Sequence, residues 1–308
     1  MLIDRPDGAR RGEARPVVDG RHQQLPAPSR YRRSDMTMTF ESAAVSSAGP
    51  RPDNQDSGCA GPRLVAIADG VGGNVGGAVA SSLIINRLAR HGSGGHTSAG
   101  SAAWLSDAIA MGNRRIRAAC AQTPRLKSMA TTLTAIATTG NGVLTLAHIG
   151  DSRAYLLRGG ALVQLTRDHT WVQALVHAGS ITPEQARTHP LRSVLLAVLH
   201  GREDDIAKLE ISTHLAQPGD RLLLCSDGLC GTVPAERMLG ILAQAPGPAA
   251  AAVLLQRAAL DAPAHDNVTV AVADLSAVPR SPCGPPVRVG AAASAPEEIT
   301  QPLPTVGS

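Results

Sequence analysis

Leu64-Val65-Ala66-Ile67-Ala68-Asp69-Gly70 decides the fold: an apolar run of strand length, then an acid where the backbone turns. The same arrangement returns at Leu222-Leu223-Leu224-Cys225-Ser226-Asp227-Gly228. It returns reversed at Asp266-Asn267-Val268-Thr269-Val270-Ala271-Val272, where the acid precedes the run. In an antiparallel sheet the end of one strand lies beside the beginning of its neighbour. If these strands pair in that way, Asp69, Asp227 and Asp266 reach one rim. Carboxylates crowded without cations repel one another, so a bound hard metal ion is the economical explanation.

The glycine-rich turn from Gly70 to Gly77 leads into a helix with Val79, Leu83, Ile84 and Leu88 on one face. A second helix is expected from Ser101 as cap, with Leu105, Ile109, Gly112 and Ile116 as a close-packing stripe. The period then shortens. Thr131–Thr138 and Val143–Ile149 read as strands around Thr139-Gly140-Asn141-Gly142, and Ala154–Leu157 and Ala161–Leu165 as strands around Arg158-Gly159-Gly160. Residues 170–200 read as mainly helical, with breaks at Gly179 and Pro190; Pro234–Ala245 and Pro248–Leu260 read as helices opened by proline. On the N-terminal side, Thr37–Ala48 is a strand candidate and 49–63 a polar loop. Meanders of strands interleaved with paired helices predict an α+β fold, an antiparallel β-sandwich core flanked by pairs of antiparallel helices.

The chain has 308 residues, but both ends look expendable. Residues 1–35 form a basic extension: eight Arg against four acids stand before residue 35, and nothing apolar recurs there. The whole chain carries +4, so the basic balance belongs to that extension and is no nucleic-acid footprint on the fold. Residues 277–308, rich in Pro, Ala and Gly, read as a disordered tail. The folded domain is placed at 36–276, long enough to bury roughly three quarters of its unfolded surface. Five Cys without a C-x-x-C read as free thiols of a reducing compartment. No apolar run approaches ~18 residues and no signal-peptide centre is present, so a cytoplasmic protein without membrane or nucleic-acid partners is expected.

Each motif has a plainer reading. The Asp69 turn does not fit G-x-G-x-x-G, no Lys-Ser/Thr follows it, and it is also an ordinary strand-to-helix turn. Ser226-Asp227-Gly228, Asp266-Asn267 and Gly150-Asp151-Ser152-Arg153 are, singly, common turn sequences. Their conjunction places an acid at four separate strand ends. Arg51-Pro52-Asp53-Asn54-Gln55-Asp56 is either a solvated loop or the missing part of a site: Arg51 offers a planar fork to phosphate oxygens, Asp56 a hold on metal waters.

In order and spacing, R-P-D-N-Q-D at 51–56, D-G-V-G-G at 69–73, A-T-T at 130–132, G-D-S-R at 150–153, L-T-R-D-H at 165–169, S-D-G at 226–228 and D-N at 266–267 resemble the metal-dependent type 2C protein Ser/Thr phosphatases, in their bacterial branch. The resemblance spans residues 40 to 275. It implies two Mn²⁺ or Mg²⁺ ions at one end of a β-sandwich. Asp69 would bridge them, the Gly70 carbonyl would bind one, and Asp227 and Asp266 would complete the protein ligands. Asp56 would order metal waters, Asp151 with Asp227 would hold a weak third metal, and Arg51 would hold the substrate phosphate. The implied reaction is hydrolysis of phosphoserine and phosphothreonine in proteins by direct attack of a metal-bridging water. Implied partners are phosphorylated proteins and a cognate Ser/Thr kinase, and a monomer is expected.

Three positions depart from the family pattern: Val71 where many eukaryotic relatives have His, Gly231 where an Asp helps hold the third metal, and Gln55 for a common Glu. His148, His169 and His177 are read as structural, and Cys225 and Cys230 as packing residues, since no Arg follows either at C-x₅-R spacing. Residues 170–200 correspond to the family's variable flap. The rival reading is a non-catalytic phosphoprotein-binding regulatory domain of the same fold.

Overall fold

Every side chain of Leu64–Ala68 is buried, yet alternate residues face different cores. Leu64, Ala66 and Ala68 join one apolar cluster, Val65 and Ile67 another. Leu222 and Leu224 share that second cluster with Ala271 and Ala273, whereas Leu223, Cys225, Val268, Val270 and Val272 pack in a third. Strands buried on both faces must lie between covering layers, and three clusters require four layers.

The computed structural model describes residues 37–72, 75–92, 101–138, 142–262, 266–278 and 284–294. One sheet runs Thr37–Ser47 (β1), Val268–Val278 (β12), Arg221–Cys225 (β11), Arg153–Arg158 (β8), Ala161–Gln164 (β9). The second runs Glu210–Leu215 (β10), Val143–Ile149 (β7), Leu133–Thr138 (β6), Leu64–Ala68 (β3), Ser57–Ala60 (β2), Val287–Gly290 (β13). A small ladder joins Gly70–Val71 (β4) to Ala130–Thr131 (β5). All pairings are antiparallel. Helices Val75–Gly92 (α1) and Ser101–Gln122 (α2) cover the second sheet, with Ile84, Leu88, Leu105, Ile109 and Ile116 fully buried and Gly112 against Ile84. Helices Ala235–Gln244 (α6) and Pro248–Leu260 (α7) cover the first. The predicted sandwich with flanking helix pairs is the observed architecture.

At the β8–β9 hairpin Arg158 faces Ala161, and Gly159 and Gly160 have φ of 58° and 79°. Two left-handed central residues match the twist of the strands, as the Gly-Gly pair predicted.

Four expectations are corrected. The three acid-bearing strands do not share a sheet: β11 and β12 are neighbours, with Cys225 opposite Val270, but β3 lies between β2 and β6 in the other sheet. Asp69 therefore reaches the rim across the sandwich. The polar loop 49–63 contains β2, whose Ser-Gly-Cys-Ala sequence lacks the bulk that marks a strand. The segment 170–200 is not mainly helical; it holds two short helices, Trp171–His177 (α3) and Pro183–Thr188 (α4), then turns after Pro190. The tail expected to be disordered from 277 is ordered in part. β12 continues to Val278, β13 pairs with β2, and Ala291–Ser294 (α8) follows with Ala292 buried. Unpaired edge groups of β2 need partners, and Val287-Arg288-Val289 supplies them. The basic extension 1–35 and residues 295–308 lie outside the described residues. Among the described residues no helix is long and apolar enough to cross a membrane.

Candidate metal centre

Each carboxylate of the rim is placed by a backbone that something else holds. The Asp69 N–H donates to Thr132 Oγ1 at 3.0 Å, and its carbonyl accepts from the Thr132 N–H and the Thr131 hydroxyl, both at 2.9 Å. The Ala-Thr-Thr motif thus anchors Asp69. Gly70 follows under the first turn of α1: a Cβ there would strike the Gly77 carbonyl and stand 2.6 Å from the Gln55 carbonyl. Only glycine fits so close an approach.

Asp56, 1% exposed, arrives from the loop before β2. Its Oδ2 accepts from the Ser226 hydroxyl at 2.8 Å, and that hydroxyl accepts from the Thr269 N–H at 3.0 Å. Ser226 immediately precedes the short helix Asp227–Cys230 (α5), so Asp227 sits at the helix start. Asp266 Oδ1 accepts from the Asn267 N–H at 2.9 Å, and Arg51 Nη2 donates to Oδ2 at 2.9 Å. Asp151 follows Gly150 at the end of β7. Its neighbours lock two motifs together: Arg153 grips Asp168 with two nitrogens at 2.7–3.1 Å, and the His169 N–H donates to the Gly150 carbonyl at 2.7 Å.

The electrostatics record the crowding. Burial first, then Asp56, Asp227, Asp151 and Asp266, push the Asp69 carboxyl well above the usual range. Burial raises Asp56 to about 7 despite hydroxyl bonds from Thr269 and Ser226, with Asp227 and Asp266 adding to the rise. Burial, then Asp227 and Asp168, raise Asp151 to about 8. Asp227 is raised by burial and by Asp266. The structure therefore brings Asp56, Asp69, Asp151, Asp227 and Asp266 together, with Arg51 attached through Asp266.

This donor set fits divalent cations. Two buried oxygens, Asp56 Oδ1 and Asp227 Oδ1, have no hydrogen-bond partner, and an orphaned carboxylate oxygen is costly unless a cation meets it. Among the described residues no three His, Cys, Asp or Glu side chains are grouped closely enough to hold an ion alone. Oxygen donors that leave most positions to water suit Mg²⁺ or Mn²⁺ rather than zinc.

The histidines lie elsewhere. His148 is buried between the Thr134 hydroxyl at 2.9 Å and the Arg167 carbonyl at 3.0 Å, and burial lowers its pKa to about 4. His169 faces Glu210 at 3.2 Å, and His177 is exposed on α3. Sequence reasoning missed the polar scaffold. Asn267 accepts from the Gln55 N–H at 2.8 Å and donates to the Ala48 and Asp53 carbonyls, both at 2.9 Å. Ser226 and Thr132 are equally essential to placement, and their appearance in motifs was the available signal.

A four-layer α+β sandwich with a carboxylate centre at one rim is the class that fold and site define. The chain belongs to the protein phosphatase 2C family, whose profile matches residues 52–251. It is 46% identical over 241 residues to the serine/threonine protein phosphatase PstP of Mycobacterium tuberculosis, covering 78% of this chain and 46% of that protein's length. It thus spans about half of that relative. The solved catalytic domain of PstP in complex with two manganese ions is 44% identical, with a TM-score of 0.71 over 78% of this chain and 99% of that one. The protein phosphatase PhpP of Streptococcus pneumoniae is 33% identical over 219 residues, 70% of this chain and 87% of PhpP.

Proposed function

We propose that this chain is a Mn²⁺- or Mg²⁺-dependent protein serine/threonine phosphatase acting on phosphoserine and phosphothreonine in proteins. One observation carries the reading: five carboxylates from both sheets converge at one rim, and two of their buried oxygens lack any partner. Asp69, the Gly70 carbonyl, Asp227 and Asp266 would hold two ions, Asp56 would fix their waters, and Asp151 with Asp227 would hold a weaker third. When bound, such ions supply positive charge against the phosphoryl oxygens and an acidified water as nucleophile.

The chain's own groups do the rest. Arg51, on an exposed loop above Asp266, presents a planar fork to the phosphate. Neither Cys225 nor Cys230 competes as a nucleophile: Cys225 is fully buried, and contact with Cys225 together with burial pushes the Cys230 thiol far above its usual range. Residues 170–200, which correspond to the family's flap, carry exposed Trp171, Leu191, Val194 and Leu196 and would select among phosphoproteins. The naming of PstP as a serine/threonine protein phosphatase and of PhpP as a protein phosphatase supports this reading over a non-catalytic phosphoprotein-binding domain, which would have no use for orphaned carboxylates. The cognate kinase and its substrates are the natural partners. Four free thiols among the described residues support a reducing, cytoplasmic setting.

The deciding experiment is hydrolysis of a phosphothreonine peptide by the full chain. Turnover with Mn²⁺, none in EDTA and none in Asp227→Asn is the expected result; turnover that survives EDTA would overturn it.

A further inference from the structure

The strand β13 and helix α8 lie beyond the family match at 52–251, yet they close on the backbone of Asp56. β13 runs antiparallel to β2 from Val287 opposite Ala60 to Gly290 opposite Ser57. There the chain turns at a φ of 67°, and a Cβ on Gly290 would press on the Asp56 carbonyl and stand 2.9 Å from Ser46 Oγ. The next N–H, of Ala291, donates to that same Asp56 carbonyl at 2.8 Å. The Ala292 N–H donates to Ser57 Oγ at 3.1 Å, and Ser57 and Ser81 share a hydroxyl contact at 2.9 Å. Ser81 in turn donates to the Gln55 carbonyl at 2.6 Å. Gln55, Asp56 and Ser57 are thus each tied down, two of them by this segment. Ala292, 1% exposed, is packed in the core beneath α1, and Arg288 reaches Asn86 at 3.1 Å.

We propose that residues 287–292 are a positioning element of the metal centre: by clamping the Asp56 main chain they set the direction of its carboxylate and hence the affinity for divalent ions. This rests on the reading of Asp56 as the group that fixes metal waters. The physical reason is specific. A buried carbonyl deprived of its donor must find another, and the peptide can do so only by rotating. Rotation there swings the side chain whose Oδ1 is orphaned and whose Oδ2 is fixed by Ser226. Loss of the segment would also leave β2 as an open edge.

The test uses the full chain with Ala291→Pro, which puts a ring methylene where the Ala291 N–H meets the Asp56 carbonyl and so breaks that bond. Mn²⁺ binding is followed by calorimetry, melting in EDTA by circular dichroism, and phosphopeptide KM at saturating Mn²⁺. The expected result is about tenfold weaker Mn²⁺ binding, the usual scale for losing a group that orients a metal site, with KM unchanged. A variant that melts earlier but binds Mn²⁺ like the parent would make the segment merely structural and overturn the proposal. Should Ala291→Pro fail to fold, Ser57→Ala, which removes the acceptor of the Ala292 N–H without adding bulk, is judged by the same two outcomes. If the unaltered chain binds no Mn²⁺, the functional reading itself has failed; if it binds and the variants match it, only the present proposal has.

Discussion

Arg51 Nη2 and Asp266 Oδ2 stand 2.9 Å apart, joining a loop before β2 to the turn before β12 across 215 positions of sequence. The partners' side chains are 53% and 43% exposed, so the pair adds little to stability. Its consequence is orientation: the group proposed for phosphate is anchored on a group proposed for metal. Arg51→Ala is therefore expected to raise phosphopeptide KM about tenfold, the scale of one charge-assisted hydrogen bond, with a smaller change in kcat. Arg51→Lys should not restore it, because a point charge lacks the planar fork. Steady-state kinetics at saturating Mn²⁺ check both.

Asp227 trades stability for function. Its Oδ1 is buried without a partner, and burial with the nearby Asp266 raises its pKa. Asp227→Asn removes the buried charge that faces Asp266, so the metal-free protein should melt higher. The same change should abolish turnover and the stabilisation by added Mn²⁺. Melting with EDTA and with Mn²⁺, beside activity, reads all three.

The raised carboxyls fix a pH dependence. Burial holds Asp56 at about 7 and Asp151 at about 8 in the folded protein, against 3.8 for the ordinary side chain. Between those limits the folded state keeps protons that the unfolded chain has lost. The resulting stability is complete below pH 3.8 and disappears as pH rises through 7 and 8. Metal-free protein should thus melt progressively lower from pH 5 to 8, opposite to an ordinary salt-bridged carboxylate. Mn²⁺ must displace the same protons, so its affinity should climb over this range. Melting curves in EDTA and calorimetric titrations at several pH values are the measurements.

The acids were legible because each closes or opens an apolar run, a local pattern that sequence displays. The layers were legible too, since Leu222–Leu224 and Val268–Val272 are nearly unbroken apolar runs, as strands buried on both faces require. β2 was not, because Ser57-Gly58-Cys59-Ala60 owes its strand to neighbours on both sides rather than to its own propensity. β13 stayed hidden because Val287-Arg288-Val289-Gly290 is short and stands in Pro- and Gly-rich surroundings. The hydrogen-bonded scaffold was least visible: Thr132 lies 63 residues from Asp69, and Ser226 lies 170 from Asp56. No local period encodes such pairings.

Asn267 offers the sharpest separation of the two halves of the site. It is 5% exposed and touches no phosphate or metal candidate by its side chain, yet that side chain holds the Ala48 and Asp53 carbonyls and the Gln55 N–H. Those three contacts shape the loop that carries Arg51. Asn267→Ala leaves them unmade and should destabilise by about 1–3 kcal/mol. Phosphopeptide KM should rise as it does in Arg51→Ala, while Mn²⁺ affinity falls far less than in Asp227→Asn. Asn267→Asp should be worse than alanine: it keeps one acceptor, loses both donors, and brings another negative charge toward Asp266 and Asp56. Calorimetry with Mn²⁺ and kinetics with the phosphopeptide on both variants decide the point. An Asn267→Ala protein with normal KM would show that the loop holds its shape without this side chain.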